Sequence, residues 1–263
     1  MGKKRITRKK HYDKTVPKGR SYRSKQKELP TFIQIDVESA EKKQQGTPAI
    51  LVPYRDNLAK ERSPQLKDFV EHFSKAPWNQ CHVYIIEQSD DDRLFNRGAL
   101  LNIGARLAKK HSHIILHDVD LLPEESLLPY YRMIPDHPLH IGWVWKTKYN
   151  YSNFLGGILS LTWKDFDRVN GYPNQFWGWG GEDDVLRNRL IQGNIPVYRP
   201  TLREGVKELP HEHVGKNPAL VNPKKRDMVL SNRGRDGVRQ THWKTLHKEV
   251  LAPHIDKYIV QLE

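Results

Sequence analysis

The chain has 263 residues, of which 37% are hydrophobic and 10% aromatic, so it is long and apolar enough to bury a sizeable core. Its single cysteine, Cys81, excludes a disulfide framework and a metal site built from cysteines, and it fits a reducing compartment. No apolar run approaches the roughly 20 residues of a transmembrane helix, and no secretory signal pattern follows the basic start. We therefore expect a cytoplasmic protein.

The net charge of +13 is concentrated at the amino terminus. Residues 1–28 contain twelve Lys or Arg and only two acids, Asp13 and Glu28, which leaves the rest of the chain nearly neutral. This distribution argues against a nucleic-acid-binding body. Residues 1–45 are predicted to form a basic, flexible extension, and residues 1–27 within it have almost no large aliphatic side chains to bury. The tail is either simply solvated or contacts a polyanion through charge attraction.

Strand and helix patterns alternate along the body of the chain. Strands are predicted at residues 49–53, 81–86 and 113–116, and helices at residues 58–73 and 95–110. The second helix is indicated by Leu100, Ile103 and Leu107, which share one face at helical spacing.

This alternation predicts an α/β fold with a mainly parallel central sheet flanked by helices. One domain over residues 46–250 is the simplest division, followed by a carboxyl-terminal tail at 251–263. In such sheets ligands bind beyond the carboxyl ends of the strands, and the third predicted strand runs into acidic residues at that point.

Those acidic residues, Asp118 and Asp120, lie two positions apart in the run His117-Asp118-Val119-Asp120. Paired carboxylates at a strand end are able to bind a divalent cation and a polar ligand beside it. The plain alternative is an acidic loop or the start of the next helix.

A second pattern, His211-Glu212-His213, is typical of two imidazoles that meet one metal ion when the segment is extended. Two histidines and one aspartate leave coordination positions for diphosphate oxygens or water. The alternative is that these histidines are surface residues without a role.

The third pattern is the run from Phe176 to Asp184, Phe-Trp-Gly-Trp-Gly-Gly-Glu-Asp-Asp, which precedes Leu186 and Leu190 on a helical face. Its glycines allow close approach of a ligand, and its tryptophans are flat surfaces for a sugar ring. Capping of a helix by the acids explains some of the run, but not the clustered tryptophans and glycines.

The order of these motifs resembles the β-1,4-galactosyltransferases. The resemblance runs from about residue 50 to 237 and rests on Phe95-Asn96-Arg97, Leu101 to Gly104, His117 to Asp120, Gly156-Gly157 and Trp177 to Asp184. It implies a GT-A (Rossmann-like) fold and an inverting, manganese-dependent transferase that uses a UDP-sugar. The His-x-His pair resembles the branch of the family that adds galactose to xylose.

The resemblance also implies a role for each matching residue. Asp183 is implied as the catalytic base, and Mn²⁺ is implied to bind Asp120, His211 and His213. The implied donor-binding residues are Pro53, Tyr54, Arg55, Phe95, Arg97, Asp118, Trp179 and Gly180. The implied acceptor-binding residues are Gly157, Trp179, Gly181, Glu182 and Asp184.

The first-choice reaction is transfer of galactose from UDP-galactose to a hydroxyl of a saccharide or glycoconjugate, with a β-1,4 linkage. A carboxylate base opposite the departing UDP, and a cation on the diphosphate, are what such a transfer needs. Phe154 stands where the family usually has tyrosine, which leaves UDP-N-acetylgalactosamine and UDP-glucose open as donors. Xylose, N-acetylglucosamine and glucose are all open as acceptors.

Two other interpretations remain: a catalytically inactive sugar-binding relative, and a nucleic-acid-associated or virion-associated protein whose basic tail is the functional part. The family usually has an amino-terminal membrane anchor where this chain has the basic tail, which suggests a bacterial, viral or cytosolic form.

Overall fold

The computed structural model describes residues 31–56, 62–145, 151–210, 217–223 and 234–263. The strands within them are β1 (Phe32–Ile35), β2 (Ala49–Tyr54), β3 (His82–Gln88), β4 (Ile114–His117), β5 (Leu121–Pro123), β6 (Ile158–Leu161), β7 (Val197–Pro200), β8 (Val206–Glu208), β9 (Trp243–Ala252) and β10 (Ile255–Leu262). The α-helices are α1 (Val37–Glu41), α2 (Ser63–Phe73), α3 (Arg97–Leu107), α4 (Leu128–Arg132), α5 (Trp163–Arg168) and α6 (Glu182–Gln192).

A six-stranded sheet in the order β6-β4-β2-β3-β10-β9 forms the centre of the fold. The four inner strands are parallel, and β6 and β9 are antiparallel edge strands. Two smaller pairs, β1 with β7 and β5 with β8, lie outside this sheet. The expected mainly parallel sheet is confirmed, and the carboxyl ends of β2, β3 and β4 meet at one edge.

Helices and loops cover both faces of the sheet, so the molecule has two apolar cores. Successive strand residues point to opposite faces. Ile50 and Val52 of β2 therefore pack in one core with Phe69 of α2, whereas Leu51 packs in the other core with Leu100 of α3. The second core also contains Leu186 and Leu190 of α6, in agreement with their predicted helical face.

Two predicted helices begin later among the described residues. The first, α2, begins at Ser63 with Pro64 in its first turn, where proline is favoured because it has no N–H to pair. Residues 57–61 lie outside the described residues. The second, α3, begins at Arg97 because the Asn96 side chain caps it by accepting a hydrogen bond from the Ala99 amide at 3.0 Å.

The folded unit extends past both predicted boundaries. β1 and α1 lie within residues 1–45, and Ile35 and Ala40 are buried in the first core. The carboxyl-terminal tail predicted at 251–263 is wrong, because β10 lies inside the sheet between β3 and β9. Most residues of its hairpin partner β9 are exposed, so this segment has little hydrophobic pattern to reveal it. Residues 1–30 are outside the described residues, and their predicted flexibility stays a prediction.

Across the described part of the chain, no helix combines the length and the apolar character that crossing a bilayer requires.

Candidate active site

The candidate site lies at the carboxyl edge of the sheet, where β4 ends. Asp118 follows β4 directly, and its amide donates to the carbonyl of Gly157 at 3.1 Å. Gly157 has a φ of +82°, a backbone conformation that favours glycine, and it leads into β6 beside β4. The Gly156-Gly157 motif and the Asp118 motif are therefore adjacent because β4 and β6 pair.

Arg97, the first residue of α3, joins the separate motifs. Its Nε lies 2.9 Å from Asp118 Oδ1, and its Nη1 lies 3.0 Å from Asp183 Oδ1. Glu182 Oε1 is 3.6 Å from the same Nη1. One guanidinium thus balances three carboxylates, and this brings together four residues that the family resemblance assigns to one site: Arg97, Asp118, Glu182 and Asp183.

Glu182 and Asp183 form the first turn of α6, where the helix dipole favours negative charge. Gly181 precedes them with a φ of +98°. Burial and the neighbouring Asp183 raise the pKa of Glu182 to about 7, and burial raises the pKa of Asp183 against the opposing effect of Arg97. The Asp183 side chain keeps 31% of its exposure against 10% for Glu182, so Asp183 is the more accessible proton acceptor.

Asp184 lies on the same helix but pairs with a different arginine. Its carboxylate pairs with Arg187, which also donates to the Asn153 carbonyl at 2.9 Å. Nearly half of the Asp184 side chain is exposed. The structure therefore does not join Asp184 to the Arg97 cluster.

The glycine- and tryptophan-rich loop is fixed by backbone hydrogen bonds. The Gly178 amide donates to the Phe95 carbonyl at 2.8 Å, and Trp179 pairs through its backbone with Leu220 and Asn222. Asn222 also donates from its side chain to the Gly180 carbonyl at 3.1 Å. The Trp179 side chain is 42% exposed, so its ring is accessible to a ligand while its backbone is ordered.

The predicted donor residues at the end of β2 are less accessible. Pro53 and Tyr54 are buried, and burial raises the pKa of the Tyr54 hydroxyl to about 12. Arg55 donates to the Arg93 carbonyl and to Asp90, away from the Arg97 cluster. Pro53 and Tyr54 therefore offer a ligand little side-chain surface.

Asp120 is the one predicted metal ligand within the described residues. It is mostly buried, its carboxylate lies 3.8 Å from Arg62, and its carbonyl accepts from the Leu209 amide at 2.7 Å. His211 and His213 follow Leu209 by two and four positions and lie outside the described residues. Within the described ranges, no group of three or more His, Cys, Asp or Glu is arranged to hold a metal ion.

His117, part of the acidic motif, is a core residue. It is fully buried, where its Nδ1 donates to the Asp118 carbonyl at 2.8 Å and its Nε2 accepts from the Tyr131 hydroxyl at 2.7 Å. Burial lowers the pKa of His117 to about 3, so it is neutral.

Sequence reasoning missed two residues of the site. Tyr172 donates its hydroxyl to Asp183 Oδ1 at 3.0 Å, and Gly156 packs so closely that a Cβ there would lie 2.8 Å from Asp183 Oδ2. Gly156 was within a recognised motif but had no assigned role. Tyr172 carries no local signal, because a buried tyrosine before a loop is typical of any core.

Comparisons with known proteins identify the family. A family model described as the N-terminal region of glycosyl transferase group 7 matches residues 20–132, and one described as the N-terminal domain of galactosyltransferase matches residues 136–212. The xylosylprotein 4-beta-galactosyltransferase of Caenorhabditis elegans is 36% identical over 192 residues, which cover 68% of this chain and 62% of that protein. Beta-1,4-galactosyltransferase 7 of Drosophila melanogaster is 41% identical over 157 residues, covering 58% of this chain and 47% of that protein.

A crystal structure of a mutant of that Drosophila protein, in complex with manganese, UDP-Gal and xylobiose, matches with a TM-score of 0.70 at 29% identity. The match covers 82% of this chain and 94% of that one. The chain spans about half to three fifths of the length of the curated relatives named above. From its sequence motifs, its sheet and these matches, the chain belongs to the β-1,4-galactosyltransferase family and has the GT-A fold.

Proposed function

We propose that this protein is an inverting, metal-dependent glycosyltransferase that moves galactose from UDP-galactose to a hydroxyl of a sugar acceptor. The observation that carries the proposal is the Arg97 bridge, which ties Asp118 at the end of β4 to Asp183 at the start of α6. A relative of the same fold in complex with UDP-Gal and xylobiose supports it.

Asp183 is proposed as the base. In this reaction the acceptor oxygen forms a bond to the anomeric carbon while the bond from that carbon to the UDP oxygen breaks. The acceptor proton passes to the Asp183 carboxylate, and UDP leaves with the bonding electrons. Arg97 stabilises the ionised form of Asp183, and the residual exposure of Asp183 leaves it open to an acceptor.

The donor is proposed to lie along the strand ends, against Arg55, Phe95, Arg97 and Asp118, with Pro53 and Tyr54 contributing backbone. Trp179, Gly180 and Glu182 are proposed to surround the transferred sugar. The acceptor is proposed to contact Gly157, Gly181 and Asp184 as well as Trp179 and Glu182. The 42% exposure of the Trp179 ring supports sugar stacking there.

Mn²⁺ is proposed to bind Asp120, His211 and His213. A carboxylate with two imidazoles is a donor set that suits this cation, and the hydrogen bond from Leu209 to Asp120 brings the chain that leads to the histidines beside the aspartate. When bound, the cation neutralises charge on the leaving diphosphate. We expect Asp120→Ala and His213→Ala to lose Mn²⁺ affinity in a calorimetric titration, a readout that does not require turnover.

A matrix of donors and acceptors, scored by mass spectrometry, tests the function. UDP-galactose, UDP-glucose and UDP-N-acetylgalactosamine are each incubated with xylose, glucose and N-acetylglucosamine acceptors, with Mn²⁺ and with a chelator. We expect a product from UDP-galactose and xylose that disappears in the chelated samples. Transfer that is unchanged in thoroughly chelated protein would contradict the metal assignment.

An inactive sugar-binding relative is the alternative within the family. The arrangement of Asp183 against Arg97 opposes it, because a binding module has no chemical reason to keep a half-buried carboxylate at this position. Acceptor binding without any UDP release in the matrix would favour this alternative.

We also propose that the basic tail contacts a polyanion and that the protein is cytoplasmic. The charge of residues 1–28 supports the first and the single cysteine the second. Deleting residues 1–28 should leave transfer intact while salt-sensitive binding to heparin or RNA falls steeply. For the domain, we propose one unit from residue 31 to the carboxyl terminus.

A further inference from the structure

The two oxygens of Asp183 have different surroundings. Oδ1 accepts from Arg97 Nη1 and from the Tyr172 hydroxyl, both at 3.0 Å. Oδ2 faces the backbone of Gly156, where an added Cβ would lie 2.8 Å away. Two donors on one oxygen fix the rotation of the carboxylate, and the missing Cβ of Gly156 lets the other oxygen lie against the backbone.

Tyr172 is itself held rigidly. It is 1% exposed, and Asn102 of α3 accepts from its amide and donates to its carbonyl, both at 2.9 Å. Its ring packs against Phe166, and a Cβ on Gly98 would lie 3.1 Å from Tyr172 Cβ. The hydroxyl therefore lies at a set position relative to α3, as a pre-organised donor requires.

The two groups that donate to Asp183, the Tyr172 hydroxyl and the Arg97 guanidinium, differ in charge and in the other carboxylates they contact. The ionisable groups that face Asp183 are Arg97 from α3, Asp118 after β4, Glu182 on its own helix, Tyr151 before the Gly156 segment, and Tyr172. Arg97 is shared among three carboxylates, whereas the Tyr172 hydroxyl also interacts with Arg97 but donates its proton to Asp183. Burial raises the pKa of Tyr172 well above 10, so the hydroxyl keeps its proton and donates.

We propose that Tyr172 is a positioning residue for the base: its hydroxyl holds Oδ1 of Asp183, so that Oδ2 receives the acceptor proton. This inference rests on the proposed function. In the transfer step, the Tyr172 proton stays on its phenol oxygen, and the acceptor proton moves to Oδ2 as the new glycosidic bond forms. The same hydrogen bond favours the carboxylate over the carboxylic acid.

Tyr172→Phe tests the inference, because it removes the hydroxyl and keeps the ring. We expect kcat to fall about tenfold near pH 6, as for loss of one hydrogen bond to a charged group. The acidic limb of kcat/KM should move up by about one pH unit, and the donor KM should stay within about twofold. Replacing Tyr172 alone by 3-fluorotyrosine, whose hydroxyl is a stronger donor, should move the limb in the opposite direction.

Tyr130→Phe is the matched control, since Tyr130 is also buried and donates its hydroxyl to the Ile35 carbonyl at 3.1 Å, outside the Arg97 cluster. A Tyr172→Phe profile identical to this control overturns the inference. So does a loss of activity without a shift of the acidic limb, which indicates only structural damage.

The proposed function fails separately, if the wild-type chain transfers no sugar in any donor and acceptor combination. In that case the contact between Tyr172 and Asp183 is still tested by an NMR titration of the Asp183 carboxyl carbon, which measures the pKa of Asp183 without turnover. A higher Asp183 pKa in Tyr172→Phe supports the orienting contact, and an unchanged pKa overturns it.

Discussion

At the carboxyl edge of the sheet, three carboxylates surround a single guanidinium, whereas the core around β4 buries two neutral histidines, His113 and His117. Glu182 and Asp183 have raised pKa values because burial and repulsion from neighbouring carboxylates oppose their ionisation. His113 and His117 have lowered values, about 4 and about 3, because burial opposes protonation. Both regions bury ionisable groups. The carboxylate cluster has more negative than positive charge, whereas the core histidines are neutral.

The hydrogen bonds explain the difference. His113 donates through Nε2 to the Tyr131 carbonyl at 2.7 Å, and His117 is satisfied by the Asp118 carbonyl and the Tyr131 hydroxyl. A neutral, satisfied imidazole stabilises a core. The carboxylates at the edge have one shared cation, a costly arrangement that persists where function needs a reactive group. Substitutions in the edge region should therefore cost activity, and those in the core should cost stability.

Asp183→Asn should have the largest effect. We expect kcat to fall about a thousandfold, because the amide has no capacity to take the acceptor proton. Removing one of the competing negative charges should at the same time raise the unfolding free energy. UDP release and thermal unfolding measure the two effects.

Asp184→Asn is the neighbouring control, since Asp184 pairs with Arg187 instead of Arg97. We expect it to keep most of the wild-type kcat at saturating acceptor, while the acceptor KM rises because Asp184 is proposed to contact the acceptor. Equal losses in the two variants would break the distinction between them and would argue against Asp183 as the base.

Gly156→Ala should have the next largest effect. The new Cβ would lie 2.8 Å from Asp183 Oδ2 and 2.9 Å from Phe154, so the carboxylate has to move. A displaced catalytic group costs up to about a hundredfold in rate, and we expect kcat to fall by roughly this amount with little change in folded structure. Gly193→Ala, at the carboxyl end of α6 with a φ of −83°, is the control. Full activity in Gly156→Ala would show that Oδ2 does not accept the proton.

The smallest expected effect is the pH dependence of the unfolding free energy that His113 contributes. His113 is neutral when folded, so its contribution to stability is present above its unfolded pKa near 6.5 and is lost as pH falls toward about 4. This amounts to about 2 kcal/mol between pH 7 and pH 5. His113→Gln should reduce that acid-induced loss, measured by urea unfolding at the two values.

The contribution of Glu182 to stability changes with pH in the opposite direction from that of His113. Its folded pKa is raised to about 7, so its contribution is present below the unfolded pKa near 4.5 and is lost as pH rises through about 7. Glu182→Gln should therefore be more stable than the wild-type chain at pH 8, with a smaller difference at pH 5. The comparison of the two regions would be contradicted if the unfolding free energies of the wild-type chain, His113→Gln and Glu182→Gln changed with pH in the same way.

Much of the fold was predictable because its signals are local. Apolar runs indicated β2, β3 and β4, and the spacing of Leu100, Ile103 and Leu107 indicated α3. The carboxyl-terminal hairpin was missed because β9 is an almost wholly exposed edge strand, and because β10 pairs with β3, which lies far away in the sequence.

The site was predictable where its motifs lie at strand or helix ends. The shared topology explains why Asp118, Arg97 and Asp183 meet. The contact of Tyr172 with Asp183 was not predictable, because it depends on the distance between a loop and the first turn of α6. The implied metal set stays a prediction, since His211 and His213 lie outside the described residues.

The most direct test of the proposed reaction is proton NMR of the product formed from UDP-galactose and a xylose acceptor. A single carboxylate base that acts opposite the leaving UDP requires inversion, so the account predicts a β-linked galactoside from the α-linked donor. An α-linked product would contradict the assignment of Asp183 as the base of an in-line transfer.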